Sequence, residues 1–327
     1  VKLLVSGYYG YGNLGDEALL QGMVAPLKAA GHHVTVLSGD PVATRALHGV
    51  EAAHRYRALL ISLLTHDALI SGGGGLLQDK TSARSLQYYL GVIRLARALG
   101  KTVVVYGQSI GPLSPAGKER VARALRALPV AVRDRASQQL LDKLGVTSEL
   151  CADPALTLPS PSLLPAEGAP VLLVPRGGYP TVNEALVQLA RALAARGQPL
   201  AAMAIRPVED EAPITALVGA IPGITVWTAG TPSEALAAIA RARHVVSARL
   251  HGLILAAATS RSFSGIVYDP KVAAFLEEAG AVAHAPPVDI TSLVEEVERG
   301  AIAHECVAAL KARAMRGLEW LERTLAR

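Results

Sequence analysis

The sequence predicts an α/β protein of two Rossmann-like domains facing a cleft, and three observations carry that prediction. Short β-branched runs alternate with alanine- and leucine-rich helical stretches along the whole chain, as in a parallel sheet with helices on both faces. The alternation breaks at 158–170, where four prolines interrupt any helical period, and then restarts. The length of 327 residues allows two domains, and a hydrophobic content of 51% allows each a sizeable core.

In order, residues 2–6, 34–38, 68–71, 102–106 and 130–133 read as buried strands. Helices are expected at 16–30, 82–99, 115–128 and 136–144. Gly31, Gly100 and Gly145 follow three of them, where a left-handed C-terminal cap favours glycine. The second half repeats the pattern, with strands at 171–174, 200–205, around Val226, 245–247 and 264–267. Its helices are expected at 183–196, 232–243, 251–259 and 272–279. Thr231, Pro232 and Glu234 form a capping box with proline at the first helical position. A last helix, from about Ile302, carries Val307, Leu310, Ala314, Leu318, Leu321 and Leu325 at spacings of three and four. The expected organisation is a domain at 1–160, a linker at 161–170, a second domain at 171–300 and an amphipathic helix at 301–327.

Composition narrows the function. A net charge of +5 with only 4% aromatic residues leaves little stacking surface and no dense basic stripe, which argues against nucleic acid. The two cysteines, Cys151 and Cys306, are far apart and lack ligand-spaced partners, which argues against a zinc site or a disulfide scaffold. Mean hydropathy is +0.33, yet no apolar run reaches the roughly 18–20 residues of a membrane span. The best stretches, 58–64 and 253–259, are short. The chain as given opens on a strand-like run, so no signal peptide and a cytoplasmic location are expected. Residues 311–327 set Lys311, Arg313, Arg316, Arg323 and Arg327 against Glu319 and Glu322, so the helix either packs its apolar face back on the protein or makes weak, salt-sensitive contact with an anionic inner membrane face.

Five stretches carry chemistry, each at the end of an expected strand, where such sheets bind ligands. The first, G-Y-Y-G-Y-G-N-L-G-D-E at 7–17, departs from the dinucleotide fingerprint, because Asp16 and Glu17 would repel a pyrophosphate. Glu17 reads as a helix-dipole partner. Asp16 is either an N-cap or an acceptor for a polyol hydroxyl. In S-G-G-G-G-L-L-Q-D at 71–79, consecutive glycines, Gly73 and Gly74 among them, cost too much entropy for a turn alone and point to close approach of a ligand or the opposite domain. G-Q-S-I-G-P at 107–112 is a turn or brings Gln108 and Ser109 to the same place. V-R-D-R-A-S at 132–137 offers Arg133, at a strand's carboxyl end, as an anion ligand in preference to Arg135. S-A-R-L-H-G at 247–252 sets Arg249, whose fork suits phosphate or carboxylate, two residues before His251, a proton donor near neutral pH. Y-D-P-K at 268–271 brings Lys271 to the same rim.

Taken with A-D-P-A at 152–155, these motifs in this order resemble the polysaccharide pyruvyl transferase family, most closely its CsaB type. The resemblance implies a glycosyltransferase-B-like fold and transfer of the enolpyruvyl unit of phosphoenolpyruvate onto a sugar, with release of phosphate. The implied acceptor is a β-linked N-acetylmannosamine residue of a lipid-linked cell-wall polysaccharide precursor. Its 4,6-pyruvylated product would anchor S-layer-homology domains. Asp16, Arg133 and His251 match the family's functional positions, and Arg206 departs from an uncharged residue common in relatives. In this reading Arg249, Lys271 and Arg133 bind the trianionic donor, His251 protonates its methylene carbon, and Asp16 orients or deprotonates a sugar hydroxyl. Asn13, Gly73, Gly74, Gln108 and Ser247 complete the expected substrate contacts. Phosphoenolpyruvate is a co-substrate, and no cofactor or metal is expected. A split of donor and acceptor between domains would require closure. The competing expectation, a nucleotide-sugar glycosyltransferase, is disfavoured because no acidic residue occurs between Glu234 and Asp269 to hold a ribose.

Overall fold

Strands that stay apolar at every position must be covered on both faces, and this chain forms two such sheets. The computed structural model describes residues 1–80, 83–161 and 163–326. The first sheet contains β1 (Lys2–Tyr9), β2 (His33–Ser38), β3 (Glu51–His54), β4 (Ala68–Ser71), β5 (Gly74–Leu77), β6 (Thr102–Ile110), β7 (Val130–Val132) and β8 (Glu149–Leu150). Its helices are α1 (Leu14–Ala29), α2 (Pro41–His48), α3 (Leu59–Thr65), α4 (Ala83–Ala98), α5 (Pro115–Leu125) and α6 (Arg135–Lys143). The second sheet contains β9 (Val171–Val174), β10 (Leu200–Met203), β11 (Thr225–Trp227), β12 (His244–Ser247), β13 (Ser262–Ile266) and β14 (Ala283–His284). With it come α7 (Pro180–Ala195), α8 (Pro207–Ala220), α9 (Pro232–Arg241), α10 (Leu250–Ala258), α11 (Pro270–Glu278) and α12 (Ile290–Arg299), and α13 (His304–Leu325) closes the chain. The expected helix start at Ser82 and the basic residue Arg327 lie outside the described residues, as does Ser162 in the linker.

The first sheet runs β3-β2-β1-β4-β6-β7-β8, with β5 pairing β6 off that path, and the second runs β11-β10-β9-β12-β13-β14. Neighbouring strands are parallel, with Leu3 opposite both Val34 and Ala68, and Leu172 opposite both Ala201 and Val245. Strand order reverses between β1 and β4 and again between β9 and β12, and these reversals are where such sheets open to ligands.

The chain divides into two compact units, one of residues 1–12, 16–155 and 312–327, the other of residues 13–15 and 156–311. Alternation along β1 splits the first unit's core between the sheet's faces: Leu4 joins one cluster, Leu3 and Val5 the other. The second of these clusters also holds Leu318, Leu321 and Leu325 of α13, packed with Leu20, Met23, Val24 and Leu27 of α1. Each side chain so buried contributes about 1.5–3 kcal/mol. The segment expected as a separate amphipathic helix at 301–327 is thus part of a core over its last turns, and its apolar face is not available to a bilayer.

Two strands outrun their expected ends. β1 continues through Gly7 to Tyr9, and β6 continues through Gln108 to Ile110, each with a register shift on the way. Gln108 and Ser109 therefore lie in a strand instead of following one. The expected caps are present at Gly31, Gly100 and Gly145, with φ of 84°, 70° and 68°. Thr231 accepts from the Glu234 N–H at 3.1 Å, and Glu234 reaches back to the Gly230 N–H at 2.7 Å.

β12 carries a buried polar chain. His244, 1% exposed, sets Nδ1 3.0 Å from Ser262 Oγ and Nε2 2.9 Å from Ser264 Oγ. Ser264 donates to Glu296 at 2.8 Å, so its oxygen accepts from Nε2–H. Burial pushes the imidazole's pKa down to about 4, against the opposing pull of Glu296. The unfolded chain takes up this proton first, so the contribution is fully present above about pH 6.5 and fades as pH falls toward 4. Stability is expected to fall by about 3 kcal/mol from this group between neutral pH and pH 4. Urea denaturation across that range should show the loss, and His244→Gln should flatten that part of the profile.

Candidate functional site

In the first unit, the first turns of α1 meet the glycines after β4 at the strand-order reversal. Asn13, grouped with the second unit, immediately precedes α1 and accepts from the Gly15 N–H at 3.1 Å, so it takes the capping role. Asp16 stands instead in the first turn of α1. Glu17 is locked in place: one oxygen accepts from the Gly10 N–H at 2.8 Å, and the other lies 2.8 Å from His48 Nε2. A Cβ on Gly74, whose φ is +104°, would sit 3.3 Å from Asp16 Oδ1, so this glycine keeps the carboxylate's flank open. A Cβ on Gly73 would strike Leu19 at 2.6 Å and the Gly107 carbonyl at 2.7 Å. Gly73 is therefore explained by helix and strand packing rather than by ligand approach.

Gln108 and Arg133 are more enclosed than expected. The Gln108 side chain is fully buried and donates to Ser71 Oγ at 2.8 Å. Arg133, 7% exposed, directs Nε to Ser109 Oγ at 2.8 Å and Nη1 to Asp153 at 2.6 Å. Its charge is matched within the protein, and it joins the motifs at 107–112 and 152–155 instead of presenting a bare cation.

One feature of this unit was missed in the sequence. Arg55 is 5% exposed, and its guanidinium lies 4.3 Å from the Tyr88 ring centre, 5.1 Å from Tyr56, 5.3 Å from Tyr89 and 5.8 Å from Tyr11. Nη2 donates to Tyr89 Oη at 3.2 Å, and no described carboxylate pairs with this arginine. The rings supply cation–π stabilisation in place of a counter-ion. The signal was H-R-Y-R at 54–57 with Tyr88 and Tyr89 in a chain with only 4% aromatic residues.

In the second unit, the reversal between β9 and β12 gathers cations. Arg249 does not offer a free fork: Nε donates to Asp210 at 3.1 Å, and Nη2 donates to Glu209 at 2.9 Å and also to Asp210. Burial opposes the charge, but Asp210 and Glu209 outweigh it and hold the guanidinium's pKa above its usual value. Ser247 is likewise committed, donating to the Arg249 carbonyl at 2.7 Å and accepting from the Arg249 N–H at 3.0 Å. This turn sets the corner from which α10 starts, with His251 in its first turn. Gly15, grouped with this unit, borders the imidazole so closely that a Cβ would lie 2.2 Å from Nδ1. Lys271 lies in the first turn of α11, its N–H accepted by Asp269 at 3.1 Å and its Nζ 3.8 Å from the same carboxylate.

A further cation here is Arg176, two residues past β9 and absent from the expected site; among the described residues no carboxylate hydrogen-bonds to it, though Glu209 feels its charge. The Arg176 guanidinium sits 4.4 Å from the Tyr268 ring centre and 4.9 Å from that of Tyr179, and its buried Nε has no hydrogen-bond partner among the described residues. Burial pushes the Tyr268 phenol up to about 12, so the ring beside Arg176 stays neutral. The available signal was V-P-R-G-G-Y-P at 174–180, which follows the first strand of its half as 7–17 follows the first strand of the other. Among the described residues, no group of three or more His, Cys, Asp or Glu side chains is placed to hold a metal ion.

The family model of polysaccharide pyruvyl transferase matches residues 13–270. Among curated proteins, none matches closely enough to count as a relative. Several solved structures share the architecture over nearly the whole chain. The UDP-GlcNAc 2-epimerase from Neisseria meningitidis, bound to UDP-GlcNAc, is 10% identical with a TM-score of 0.66, covering 100% of both chains. Anabaena HepE in complex with UDP and glucose is 13% identical with a TM-score of 0.64, covering 99% of each. Sucrose-phosphate synthase from Thermosynechococcus elongatus is 13% identical with a TM-score of 0.62, again covering 99% of each. At these identities the likeness is one of fold: two Rossmann-like domains of the glycosyltransferase-B kind.

Asp210 is fully buried, whereas the Glu209 side chain is 39% exposed. Removing a buried charge's partner costs about 3–5 kcal/mol, but a half-exposed one costs about 1 kcal/mol or less. Asp210→Asn should therefore lower the urea midpoint far more than Glu209→Gln, with the slope of each transition unchanged.

Proposed function

The chain belongs to the polysaccharide pyruvyl transferase family, whose model spans residues 13–270, and on that premise we propose that it converts phosphoenolpyruvate and a saccharide diol into a pyruvate ketal and phosphate. The observation that carries this reading is the anion-ready edge of the second sheet. Arg176 carries a buried Nε with no hydrogen-bond partner among the described residues, with Glu209 near enough to feel its charge, and His251 stands in the first turn of α10. A helix start and a guanidinium with an unpartnered buried Nε together suit a small polyanion.

The reaction balances without an oxidant or reductant. A proton passes to the methylene carbon, making it a methyl group and leaving the adjacent carbon electron-poor. One sugar hydroxyl bonds to that carbon, the carbon–oxygen bond to phosphate breaks, and the second hydroxyl closes the ketal. Of the two hydroxyl protons, one replaces the proton given to carbon and the other leaves with phosphate. In this scheme Arg176 and Lys271 hold the donor's charges and His251 supplies the proton. Arg249, tied to Asp210 and Glu209, fixes the corner that orients His251. Asp16, flanked by the open side of Gly74, accepts from a sugar hydroxyl. Arg133 shapes the first sheet's edge through Asp153 and Ser109.

The acceptor we propose is a 4,6-diol on an N-acetylmannosamine-type residue of a lipid-linked cell-wall polysaccharide precursor, pyruvylated in the cytoplasm to support S-layer anchoring. What supports it is the resemblance of the ordered motifs to the CsaB type. A second reading, a nucleotide-sugar glycosyltransferase, draws on the shared fold. The acid-free stretch between Glu234 and Asp269 disfavours it, because the buried Leu253, Ile254 and Leu255 of α10 offer nothing to a ribose hydroxyl.

Phosphoenolpyruvate should raise the melting temperature and UDP-sugars should not; the reverse result would favour the second reading. Arg176→Gln should abolish the phosphoenolpyruvate shift. His251→Gln should keep that shift yet lower phosphate release with an acceptor by roughly 10²–10⁴-fold, the span of general acid catalysis. Near-normal turnover in His251→Gln would place the proton donor elsewhere.

A further inference from the structure

The first unit exposes a run of apolar side chains that its core does not use. On α3, Leu60, Ile61 and Leu64 are 55%, 59% and 52% exposed, and Tyr56 just before the helix is 61% exposed. Positions 60, 61 and 64 fall within about a 100° arc of a helix, so they form one ridge. Leu63, 1% exposed, anchors the opposite side in the core. Single exposed apolar residues are ordinary, but a contiguous ridge marks a contact surface.

The ridge is bordered by cations. Arg57 is exposed, and Lys101 donates from Nζ to the Leu64 carbonyl at 3.2 Å, at the end of α3. No acidic residue occurs from 52 to 66, although Asp67 follows directly, held by the Lys2 N–H at 2.8 Å and facing the Lys101 charge. Tyrosine suits the boundary between water and hydrocarbon, with an apolar ring and a polar tip. We propose that this face docks the protein on an anionic lipid bilayer, with Leu60, Ile61 and Leu64 entering the acyl boundary and Arg57 and Lys101 meeting lipid phosphates.

A second copy of the chain fits this face poorly. A two-fold contact here would bring the basic rim against itself. A seven-residue helix, about 10 Å long, also offers too little surface for a stable dimer, which buries about 1,200–2,000 Å². The C-terminal helix, for which membrane contact was one of two expectations, keeps Leu318, Leu321 and Leu325 inside the protein. The proposal therefore places apolar insertion on α3 rather than on α13. The proposal does not depend on the pyruvyl transfer chemistry, although a lipid-borne acceptor would give it a purpose.

Flotation of the full chain tests it, using vesicles of phosphatidylcholine with about 30% phosphatidylglycerol and vesicles of phosphatidylcholine alone. The protein should float with the anionic vesicles and at least fivefold less with the neutral ones. Leu60→Ser/Ile61→Ser/Leu64→Ser should weaken binding at least tenfold. Arg57→Glu should weaken it about fivefold or more at low salt, with the difference fading near 0.5 M salt. Arg316→Glu/Arg323→Glu should leave it unchanged. Melting temperature and the phosphoenolpyruvate shift, read on the same variants, report folding and donor binding separately. No binding by the unaltered protein, equal binding by the triple variant, or loss traced only to Arg316 and Arg323 would overturn the proposal. So would a dimer in analytical ultracentrifugation that the triple variant dissociates.

Discussion

A carboxylate with no solvent exposure, Asp210, holds three segments of the second unit at once. It accepts from the Gly177 N–H at 3.0 Å, from the Arg206 N–H at 2.9 Å and from the Arg249 guanidinium. These lie after β9, before α8 and after β12, so one side chain ties together the carboxyl ends around the strand reversal. Its place in the first turn of α8 adds the favourable end of a helix dipole. The corner leading to His251 and the loop carrying Arg176 both depend on this carboxylate.

Four arginines look alike in the sequence and differ entirely in their surroundings. Arg133 and Arg249 are buried against Asp153 and Asp210, whereas Arg55 and Arg176 are set among tyrosine rings with no carboxylate hydrogen-bonded to them among the described residues. A buried guanidinium needs some compensation, and which kind it receives decides whether it can still attract an anion. That distinction is made by partners 20 and 39 residues away along the chain. Local motif reading pointed to Arg133 and Arg249 because each ends a strand, but position at a strand end does not report the charge across from it.

What could be read locally was read well. Parallel strands declared themselves by unbroken apolar runs, and helix ends by glycine caps and the Thr231 capping box, because those signals lie within a few residues. The reach of β1 and β6 could not be seen, since each passes through glycine with a register shift and is kept going by neighbouring strands. α8 was missed for a related reason: Pro207 opens it and Pro213 lies inside it, so its propensity is poor and packing sustains it. With α8 went Glu209 and Asp210, and with them the true situation of Arg249. In the glycine run, Gly74 faces Asp16 while Gly73 faces Leu19, a division that only the packing of α1 over the sheet could reveal.

The last turns of α13 have a consequence for how the protein is made. The first unit is built mostly from residues 1–155, yet its core includes Leu318, Leu321 and Leu325. A ribosome that has delivered residues 1–155 has therefore not delivered enough to complete that core. Until the second unit has been synthesised, Leu20, Met23, Val24 and Leu27 lack part of their cover, and the nascent first unit waits with apolar surface open to chaperones or to misassembly. The half made first is the half finished last.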